Sequence, residues 1–572
     1  MGRPPTHTLG VRCLSQGGST IDTNVLYYGD NLDILRRYIP DGSVDLVYLD
    51  PPFNSDRNYN VIFKDESGRK SDAQLLAFED TWHWGPSAEA TYAYLTETGR
   101  HQGRVPGTAS TIIAALRAGI GENQMMAYLV EMAVRLVELR RVLKPTGSLY
   151  LHCDPTASHY LKVVLDAIFG PQNFRNELIW KRATTVKGNF GQGSKLWGPN
   201  VDSLLFYTKS DDYTFNQLFT PYSDKYMDTA YRFVEPGTGR RYRLVSMIGP
   251  GGAAKGNPAY EVMGVTRYWR YSREKMQDLL ARGLVVQSRP GTVPNRKYYL
   301  DEGKGVPVQT LWDDIPNLQA SDAQRLGYPT QKPIGVLDRI ITAASNEGDW
   351  ILDPFCGCGT ALVAAQKLDR KWIGIDVTYL AIAVMRARLK DTFGLADVEV
   401  IGQPTEVEGA RQLAQSPEGR YQFQWWALGL VDAQPVGGVQ KKGADKGMDG
   451  VITFSDERHA LQTVVVSVKS GHVNSSMVRD LKGTIDREQA AMGLFLTLEE
   501  STRDMNLEAS TAGLYHSELW NRDYPKIQVL SIQELLAGQH PELPPSRQPT
   551  FQKAQRHRET GGEQKQLFER ER

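Results

Sequence analysis

Residues 44–53, Val-Asp-Leu-Val-Tyr-Leu-Asp-Pro-Pro-Phe, contain the pattern that decides the fold of this 572-residue chain. An apolar run typical of a buried strand ends here in Asp50, Pro51, Pro52 and Phe53. The prolines fix the backbone and have no N–H, so the local carbonyl groups stay free to accept hydrogen bonds. The carboxylate adds an acceptor, and the ring adds a flat apolar face. This set of groups suits a planar ring that carries an exocyclic amine, such as adenine or cytosine.

A second apolar run leads into a glycine turn. Residues 351–360 read Ile-Leu-Asp-Pro-Phe-Cys-Gly-Cys-Gly-Thr, and residues 361–366 predict a helix. The glycines let a ligand approach the backbone closely, as in nucleotide-binding strand–turn–helix units. The turn is not a Walker motif, because no Gly-Lys-Ser/Thr follows, and it lacks the full dinucleotide fingerprint. S-adenosylmethionine therefore fits this turn better than NAD.

A carboxylate follows at the spacing that ribose binding requires. Residues 372–376, Trp-Ile-Gly-Ile-Asp, predict a further strand that ends at Asp376. An acid about 20 residues past such a turn is placed to bind ribose hydroxyls. The alternative is that Asp376 only caps the next helix, and the spacing favours ribose binding.

In this order the motifs resemble the beta class of S-adenosylmethionine-dependent DNA amino-methyltransferases, in which the catalytic motif precedes the cofactor turn. The resemblance covers roughly residues 24–400. It includes residues 28–30, Tyr-Gly-Asp, and residues 328–333, Tyr-Pro-Thr-Gln-Lys-Pro. It implies a catalytic set of Asp50, Pro51, Pro52 and Phe53, and a cofactor-binding set of Asp30, Lys332, Asp353, Phe355, Gly357, Gly359, Thr360 and Asp376.

The resemblance also implies a reaction on double-stranded DNA. The target base leaves the duplex stack to reach the enzyme. Phe53 stacks on that base, while the Asp50 side chain and the Pro51 carbonyl accept hydrogen bonds from its amine. An aspartate at the head of the motif favours adenine-N6 by resemblance to the family, and cytosine-N4 is the alternative. Because these motifs precede residue 402, we expect a fragment that ends near residue 405 to retain methyl transfer.

Composition limits the other possibilities. The 66 basic and 66 acidic residues give zero net charge, so DNA binding must depend on local patches. The four cysteines, at 13, 153, 356 and 358, form neither a disulfide framework nor a zinc pattern. The chain shows no apolar run of membrane-spanning length and no signal peptide. We expect a cytoplasmic protein that does not bind membranes.

Basic and aromatic side chains alternate in the middle of the chain. Arg240, Arg241 and Arg243 form one cluster, and residues 267–273 add three arginines around Trp269. Such interleaving suits contacts to phosphates and bases. We interpret residues 181–322 as a target-recognition region; the alternative is a solvated insertion with a small aromatic core.

The C-terminal part has a different motif. Asp449 precedes one predicted strand, and Ser467 and Lys469 lie on the next. This layout resembles the Mrr branch of PD-(D/E)xK nucleases, which implies Mg²⁺ on Asp449 and Lys469 beside the attacking water. Ser467 departs from the family, where a carboxylate or glutamine is usual; Glu418, Asp445 or Glu488 could replace the missing ligand. The alternatives are an active nuclease in a bifunctional restriction–modification protein, and a degenerate nuclease fold.

The predicted fold class is α/β: a permuted Rossmann-like methyltransferase with an inserted target-recognition region, followed by a small restriction-endonuclease-like domain. Within the first part, residues 126–143 predict a helix, and residues 85–123 read as a polar insertion. A homodimer and a separate restriction subunit are both compatible with the sequence. The expected segments are a polar arm (1–20), the catalytic half (21–180), the target-recognition insertion (181–322), the cofactor-binding half (323–401), a linker (402–418), the Mrr-like domain (419–540) and a disordered tail (541–572).

Overall fold

The computed structural model describes residues 22–52, 58–64, 70–79, 83–183, 195, 197–319, 322, 324–326, 328, 331–415, 417–435, 448–456 and 461–545. The expectations for the arm (1–20) and for the end of the tail (546–572) lie outside these residues, as does Phe53. The described residues form two compact units: Gln217–Gln309, and the rest of the chain. Strands and helices are numbered in chain order.

A nine-stranded sheet forms the centre of the larger unit. Its order is β16-β6-β7-β5-β2-β17-β18-β1-β19, and among these strands β7 alone runs antiparallel to its neighbours. The strands are β1 (Val25–Tyr28), β2 (Val44–Leu49), β5 (Leu143–Cys153), β6 (Phe174–Lys181), β7 (Val201–Thr208), β16 (Leu311–Trp312), β17 (Trp350–Asp353), β18 (Lys371–Asp376) and β19 (Glu399–Ile401). A separate hairpin joins β3 (Asn58–Lys64) and β4 (Lys70–Glu79). The predicted α/β class is confirmed.

The strands at the middle of the sheet are almost continuously apolar and buried. This pattern is typical of parallel strands with both faces covered. Strand β2 pairs in parallel with β17, with Leu46 opposite Ile351 and Val47 opposite Leu352. Strand β17 pairs in parallel with β18 on its other side. The carboxyl ends of β2, β17 and β18 therefore lie along one edge, although β17 comes some 300 residues after β2 in the chain.

Helices pack against the sheet in sequence-contiguous groups. The first group includes a helix from Gln124 to Val142, close to the predicted 126–143, which is buried along most of its length. The helices of the first group are α1 (Asn31–Tyr38), α2 (Pro86–Thr96), α3 (Thr98–His101), α4 (Gly107–Ile120), α5 (Gln124–Val142) and α6 (Ser158–Phe169). The helices that accompany β17 and β18 are α9 (Ile334–Ala344), α10 (Thr360–Lys367) and α11 (Tyr379–Phe393).

The interpretation of residues 85–123 as a polar insertion is wrong. This stretch forms α2, α3 and α4, whose side chains Leu95, Ala109 and Ile113 are buried in the core with α5 and α6. The glycines of α4 do not form a loop: Gly107 is its first residue, Gly119 lies within it, and Gly121 is its C-cap with φ +76°. The polar residues lie on the outward faces of the helices, which lowers the mean hydropathy of the stretch without removing its core.

The smaller unit has a core of its own. Buried Met247, Tyr260, Trp269 and Met276 form it, with a four-stranded sheet of order β13-β14-β10-β9. Its elements are β8 (Phe219–Thr220), α7 (Asp224–Ala230), β9 (Phe233–Val234), β10 (Arg241–Ser246), β11 (Ala259–Val262), β12 (Val265–Tyr268), α8 (Arg273–Ala281), β13 (Val285–Val286), β14 (Asn295–Tyr299) and β15 (Val306–Pro307). This unit is narrower than the predicted insertion of 181–322, because residues 201–208 form β7 of the large sheet.

The C-terminal part builds a second, five-stranded sheet of order β20-β21-β22-β23-β26. Val465, Val478, Leu481 and Phe495 lie in its core. Its elements are α12 (Val407–Leu413), α13 (Pro417–Leu430), β20 (Gln434–Pro435), β21 (Gly450–Ser455), β22 (Leu461–Lys469), α14 (Ser475–Arg487), β23 (Met492–Thr497), α15 (Arg503–Thr511), β24 (Leu514–Ser517), β25 (Arg522–Pro525), β26 (Ile527–Ser531) and α16 (Ile532–Leu536). Helix α12 lies within the stretch 402–418 that the sequence predicts as a linker. Within the described residues, no helix has the length and apolar character to cross a membrane.

Candidate active site

One cavity of about 280 Å³ lies at the carboxyl edge of the large sheet. Asp50, Pro51 and Pro52 reach it from the end of β2, and Asp353 is the last residue of β17. The cavity is lined by most of the residues predicted from sequence: Asp30, Asp50, Pro51, Pro52, Lys332, Asp353, Phe355, Gly357, Thr360 and Asp376. Two motifs separated by about 300 residues in sequence thus form one site.

The glycine turn between β17 and α10 has a backbone that other residues would strain. Gly357 has φ +48°, and a Cβ there would lie 3.2 Å from the ring of Tyr328. Gly359 does not line the cavity; it precedes α10 with φ +72°, and a Cβ there would lie 2.8 Å from Met385. Left-handed backbone and close neighbours together explain both glycines. The turn therefore presents backbone, not side chains, to the cavity at Gly357.

Asp376 fixes that turn from the neighbouring strand. Its Oδ2 accepts a hydrogen bond from the Gly357 N–H at 2.9 Å. Its Oδ1 accepts from the N–H and the hydroxyl of Thr378 at 2.9 and 2.8 Å. Burial raises the pKa of Asp376 to about 6, and these hydrogen bonds oppose the rise. Each carboxylate oxygen has a second lone pair, so the group can still accept from a ligand hydroxyl.

Lys332 forms an ion pair with Asp50. Its Nζ contacts Oδ2 of Asp50, and the two side chains are only 10% and 17% exposed. The sequence placed Lys332 among the cofactor-binding residues, whereas the structure places its charged end on the predicted catalytic carboxylate. Pro333 is the N-cap residue of α9, so the lysine reaches the cavity from the start of that helix.

Asp353 is the most deeply buried of the carboxyl groups around the cavity, with 3% of its surface exposed. Its Oδ1 accepts a hydrogen bond from the Phe355 N–H at 3.1 Å. Burial raises the pKa of Asp353 well above its usual value, and the nearby carboxylates of Asp50 and Asp376 raise it further. Four acidic side chains, those of Asp30, Asp50, Asp353 and Asp376, thus line one cavity.

The nuclease-like motif is arranged differently. Oδ1 of Asp449 accepts a hydrogen bond from Nε2 of Gln424 at 2.8 Å. Its Oδ2 accepts from the Val468 N–H at 2.6 Å and from the Ser467 hydroxyl at 3.2 Å, with Nζ of Lys469 3.7 Å away. Both carboxylate oxygens are therefore used by protein donors.

This donor set does not fit Mg²⁺, which binds best to several free oxygen ligands. Among the residues that the structure describes, no group of three or more His, Cys, Asp or Glu side chains could hold a metal ion. Of the residues suggested as replacement ligands, Glu488 pairs with Arg487. Asp445 and the side chain of Glu418 lie outside the described residues.

The arginines of the smaller unit fall into two groups. Arg240 and Arg241 form ion pairs with Asp301 and Asp228, so their charges are partly neutralised by local acids. Around buried Trp269, by contrast, the side chains at 267, 270 and 273 are exposed. The guanidinium of Arg243 lies over the rings of Tyr231 and Tyr298, at 5.4 and 5.3 Å. The unit thus has both an aromatic core and an exposed basic patch formed by Arg267, Arg270 and Arg273.

Comparison with protein families identifies the larger part of the chain. Residues 44–384 match a family model described as DNA methylase, which groups N6- and N4-methyltransferases. The chain belongs to the DNA methylase family. Residues 435–537 match a second model, described as NACHT-associated inactive restriction endonuclease 1. The predicted combination of a DNA methylase with a restriction-endonuclease-like domain is confirmed at this level.

Several individual proteins are similar to this chain. The type II methyltransferase M.EcaI of Enterobacter cloacae is 31% identical over 268 residues, which cover 46% of this chain and 57% of that protein. The Mod subunit of the type III enzyme StyLTI of Salmonella typhimurium is 26% identical over 363 residues, covering 61% and 50%. The chain spans about half to three-fifths of the length of these two curated relatives. TTHA0409 of Thermus thermophilus, crystallised with S-adenosyl-L-methionine, shares 15% identity at a TM-score of 0.31, over 67% of this chain and 100% of that one.

Arg135 is a cavity residue of the DNA methylase that sequence reasoning missed. Its guanidinium contacts Oδ2 of Asp30 at 2.8 Å, Oδ1 of Asn31 at 2.6 Å and Oε2 of Glu131 at 2.8 Å. Asn31 in turn donates to the Pro354 carbonyl at 2.8 Å. Helix α5 is thereby connected to both Asp30 and the glycine turn. The sequence gives little signal for Arg135, because α5 carries four other charged residues, Glu131, Glu138, Arg140 and Arg141.

A chain of buried polar side chains begins at Tyr48 of β2 and was also missed by sequence reasoning. The Tyr48 hydroxyl lies 3.0 Å from Nδ1 of His152, whose Nε2 lies 3.3 Å from Oδ2 of Asp202. Burial alone would raise the pKa of Asp202, but the hydrogen bond from His152 and the charges of Lys332 and Arg182 hold it below its usual value. With Asp202 ionised, Nε2 of His152 is the donor of the hydrogen bond between them.

Proposed function

We propose that this DNA methylase transfers a methyl group from S-adenosylmethionine to N6 of adenine in double-stranded DNA. The observation that supports this proposal most strongly is the shared cavity: Asp50, Pro51 and Pro52 lie on one side of it, and the glycine turn with Asp376 lies on another. The order of these motifs is that of the beta class. The proposal includes the smaller unit, 217–309, as the target-recognition part, with exposed Arg267, Arg270 and Arg273 contacting DNA phosphates.

The chain's own residues fit S-adenosylmethionine. Asp376 offers acceptors for ribose hydroxyls, and Phe355 offers a partly buried ring on the same wall. Gly357 leaves backbone exposed where a side chain would fill space. When bound, the cofactor supplies a methyl group that is already activated for transfer.

The residues that directly follow β2 orient and polarise the target amine. The Asp50 carboxylate and the Pro51 carbonyl accept hydrogen bonds from its two N–H groups. These bonds direct the lone pair of the nitrogen toward the cofactor side of the cavity. Phe53, which lies outside the described residues, is assigned the stacking role by resemblance alone. Lys332 and the amine both donate to Asp50, whose two carboxylate oxygens can accept from both.

Adenine and cytosine both carry an exocyclic amino group, at N6 and N4 respectively, and either amine would present the same donors to the site. The aspartate that heads the motif supports adenine in this proposal, and cytosine-N4 methylation is the alternative. A suitable test incubates the full chain with mixed-sequence duplex DNA and methyl-labelled cofactor, and then identifies the labelled nucleoside by mass spectrometry. Label in N6-methyladenine supports the proposal, label in N4-methylcytosine selects the alternative, and no label in either contradicts both.

We further propose that the C-terminal domain does not cleave DNA. The hydrogen bonds that occupy Asp449, and the word "inactive" in the description of the matching family, both support this choice. A bifunctional restriction–modification protein with Mg²⁺-dependent cleavage is the alternative. We also propose that the protein is cytoplasmic and does not bind membranes. Its protein partner is either a second copy, in a homodimer, or a separate restriction subunit.

A further inference from the structure

Helix α13 contacts the two loops that form the cofactor side of the cavity. Oε1 of Gln422 accepts a hydrogen bond from the Tyr379 N–H at 3.2 Å and from the Tyr28 hydroxyl at 3.4 Å. Tyr379 is the first residue of α11, and Tyr28 is the last residue of β1. One side chain of the C-terminal part therefore binds two elements of the methyltransferase part.

Those two tyrosines adjoin the cavity in sequence and in space. Gly29 and Asp30 follow Tyr28 directly, and Asp376 lies three residues before Tyr379; all three line the cavity. The loops are also joined to each other, because the Gly29 N–H donates to the Asp376 carbonyl at 2.9 Å. A shift at either tyrosine would therefore move the backbone that carries Asp30 and Asp376.

The packing at this contact leaves no spare room. A Cβ at Gly429 of α13 would lie 2.4 Å from the ring of Tyr379 and 2.7 Å from its hydroxyl. Tyr379 is 4% exposed and meets Tyr28 edge to face, with ring centroids 6.1 Å apart. Since real Cβ atoms do not approach to 2.4 Å, the glycine is what allows the helix to lie on this ring.

The same helix also contacts the nuclease-like site. Gln424 donates to Asp449, as described above, and a spacing of two residues places Gln422 and Gln424 on different faces of the helix. Phe423 and Trp426, which are close to them in the helix, are buried. Helix α13 thus connects the nuclease-like motif with the loops of the cofactor cavity.

We propose that the C-terminal domain is a positioning element for the cofactor cavity, acting through Gln422 and Gly429 of α13. The ligand in this inference is S-adenosylmethionine, so it rests on the function proposed above. It also changes the expectation for a fragment that ends near residue 405: without α13 the fragment leaves Tyr379 uncovered and binds the cofactor poorly. The domain then belongs to the modification machinery even though it does not cut DNA.

The test compares substitutions at two helical glycines in the full chain. Gly429→Ala places a methyl group against Tyr379, whereas Gly483→Ala in α14 meets no atom within 4 Å. We expect Gly429→Ala to weaken cofactor binding, measured by calorimetry, by about tenfold or more, and to raise the KM for cofactor more than it lowers kcat. Gly483→Ala should match the wild type.

A second pair of variants isolates the hydrogen bonds without changing the packing volume greatly. Gln422→Glu keeps an acceptor for the Tyr379 N–H and the Tyr28 hydroxyl, whereas Gln422→Met keeps the length and loses the acceptor. We expect Gln422→Met to weaken cofactor binding about threefold to fivefold, and Gln422→Glu to restore most of it. Gln422 is only half-buried and both substitutions nearly keep its length, so both variants should fold if Gly429→Ala does not.

Hydrogen exchange of the protein without cofactor separates failure of this inference from failure of the proposed function. The Tyr379 amide and its neighbours up to residue 382 should exchange faster in Gln422→Met than in wild type or Gln422→Glu. Unchanged exchange and unchanged affinity in Gln422→Met would overturn the inference. If wild type binds no S-adenosylmethionine but the exchange pattern is as expected, the positioning contact stands and the proposed ligand is wrong.

Discussion

The ammonium group of Lys332 lies on the carboxylate of Asp50, with both side chains largely buried. The lysine ammonium donates to the same carboxylate that accepts from the target amine in the proposed mechanism. The pair demonstrates that Asp50 can accept from a nitrogen donor inside the cavity. Under the proposed mechanism, this contact places Lys332 beside the target amine.

The first prediction concerns Asp50 itself. Asp50→Ala should abolish methyl transfer while cofactor affinity stays within about threefold of wild type, because the proposed contact of Asp50 is with the target amine. Cofactor binding by calorimetry and methyl transfer to duplex DNA are measured on the same preparation. Full activity in this variant would refute the mechanism.

The second prediction follows from the ion pair. Lys332→Met should lower kcat by about tenfold or more and change cofactor affinity by less than about threefold, since the ammonium contacts Asp50. The double variant Asp50→Ala/Lys332→Met should be no worse than Asp50→Ala alone. The opposite pattern, with weak cofactor binding and near-normal kcat, would restore Lys332 to the cofactor site.

The third prediction uses the raised pKa of Asp376. Its folded pKa of about 6 lies above the ordinary value for aspartate. As the pH falls through about 6, the carboxylate takes up a proton and no longer acts as a charged hydrogen-bond acceptor. Cofactor affinity should therefore fall several-fold between about pH 7.5 and pH 5, while Asp376→Asn should bind about tenfold more weakly at pH 7.5 and lose this pH dependence.

The sign of the stability effect provides a control for that experiment. Because the folded pKa of Asp376 exceeds the unfolded one, its contribution to stability is present at low pH and is lost as the pH rises through about 6. Protonation of Asp376 thus favours the folded protein while it weakens cofactor binding. A melting temperature followed over the same pH range distinguishes a local loss of the acceptor from acid unfolding.

The residues found from sequence and those missed differ in one respect. Asp50, Gly357 and Asp376 belong to short motifs at strand ends, in which consecutive residues carry the functional groups. Arg135 reaches the cavity from the middle of a helix, and it can be assigned only when the packing of α1 against α5 is known. The same holds for Gln422, whose partners are 43 and 394 residues away in sequence. Local patterns predict strands and turns. They do not predict which side chain, distant in sequence, forms a hydrogen bond or ion pair with a residue of the site.

The fourth prediction concerns the buried chain of Tyr48, His152 and Asp202. The amide of asparagine can replace Nδ1 of a histidine, and the longer glutamine can replace Nε2. Since Tyr48 lines the cavity and Asp202 does not, His152→Asn should retain more methyl transfer than His152→Gln. In a Tyr48→Phe background, which lacks the hydroxyl, the two variants should have equal activity. Equal activity of the two variants in the wild-type background would assign His152 a purely structural role.

The last prediction concerns the nuclease-like motif. Wild-type protein should not cleave unmethylated or methylated DNA in the presence of Mg²⁺, because protein donors occupy both oxygens of Asp449. Asp449→Ala and Lys469→Ala should be indistinguishable from wild type in that assay. Any cleavage that is equal in all three proteins comes from another source. Mg²⁺-dependent cleavage by wild type that disappears in both variants would contradict the proposal and establish the bifunctional alternative, with Ser467 tolerated where the related nucleases have a carboxylate or glutamine.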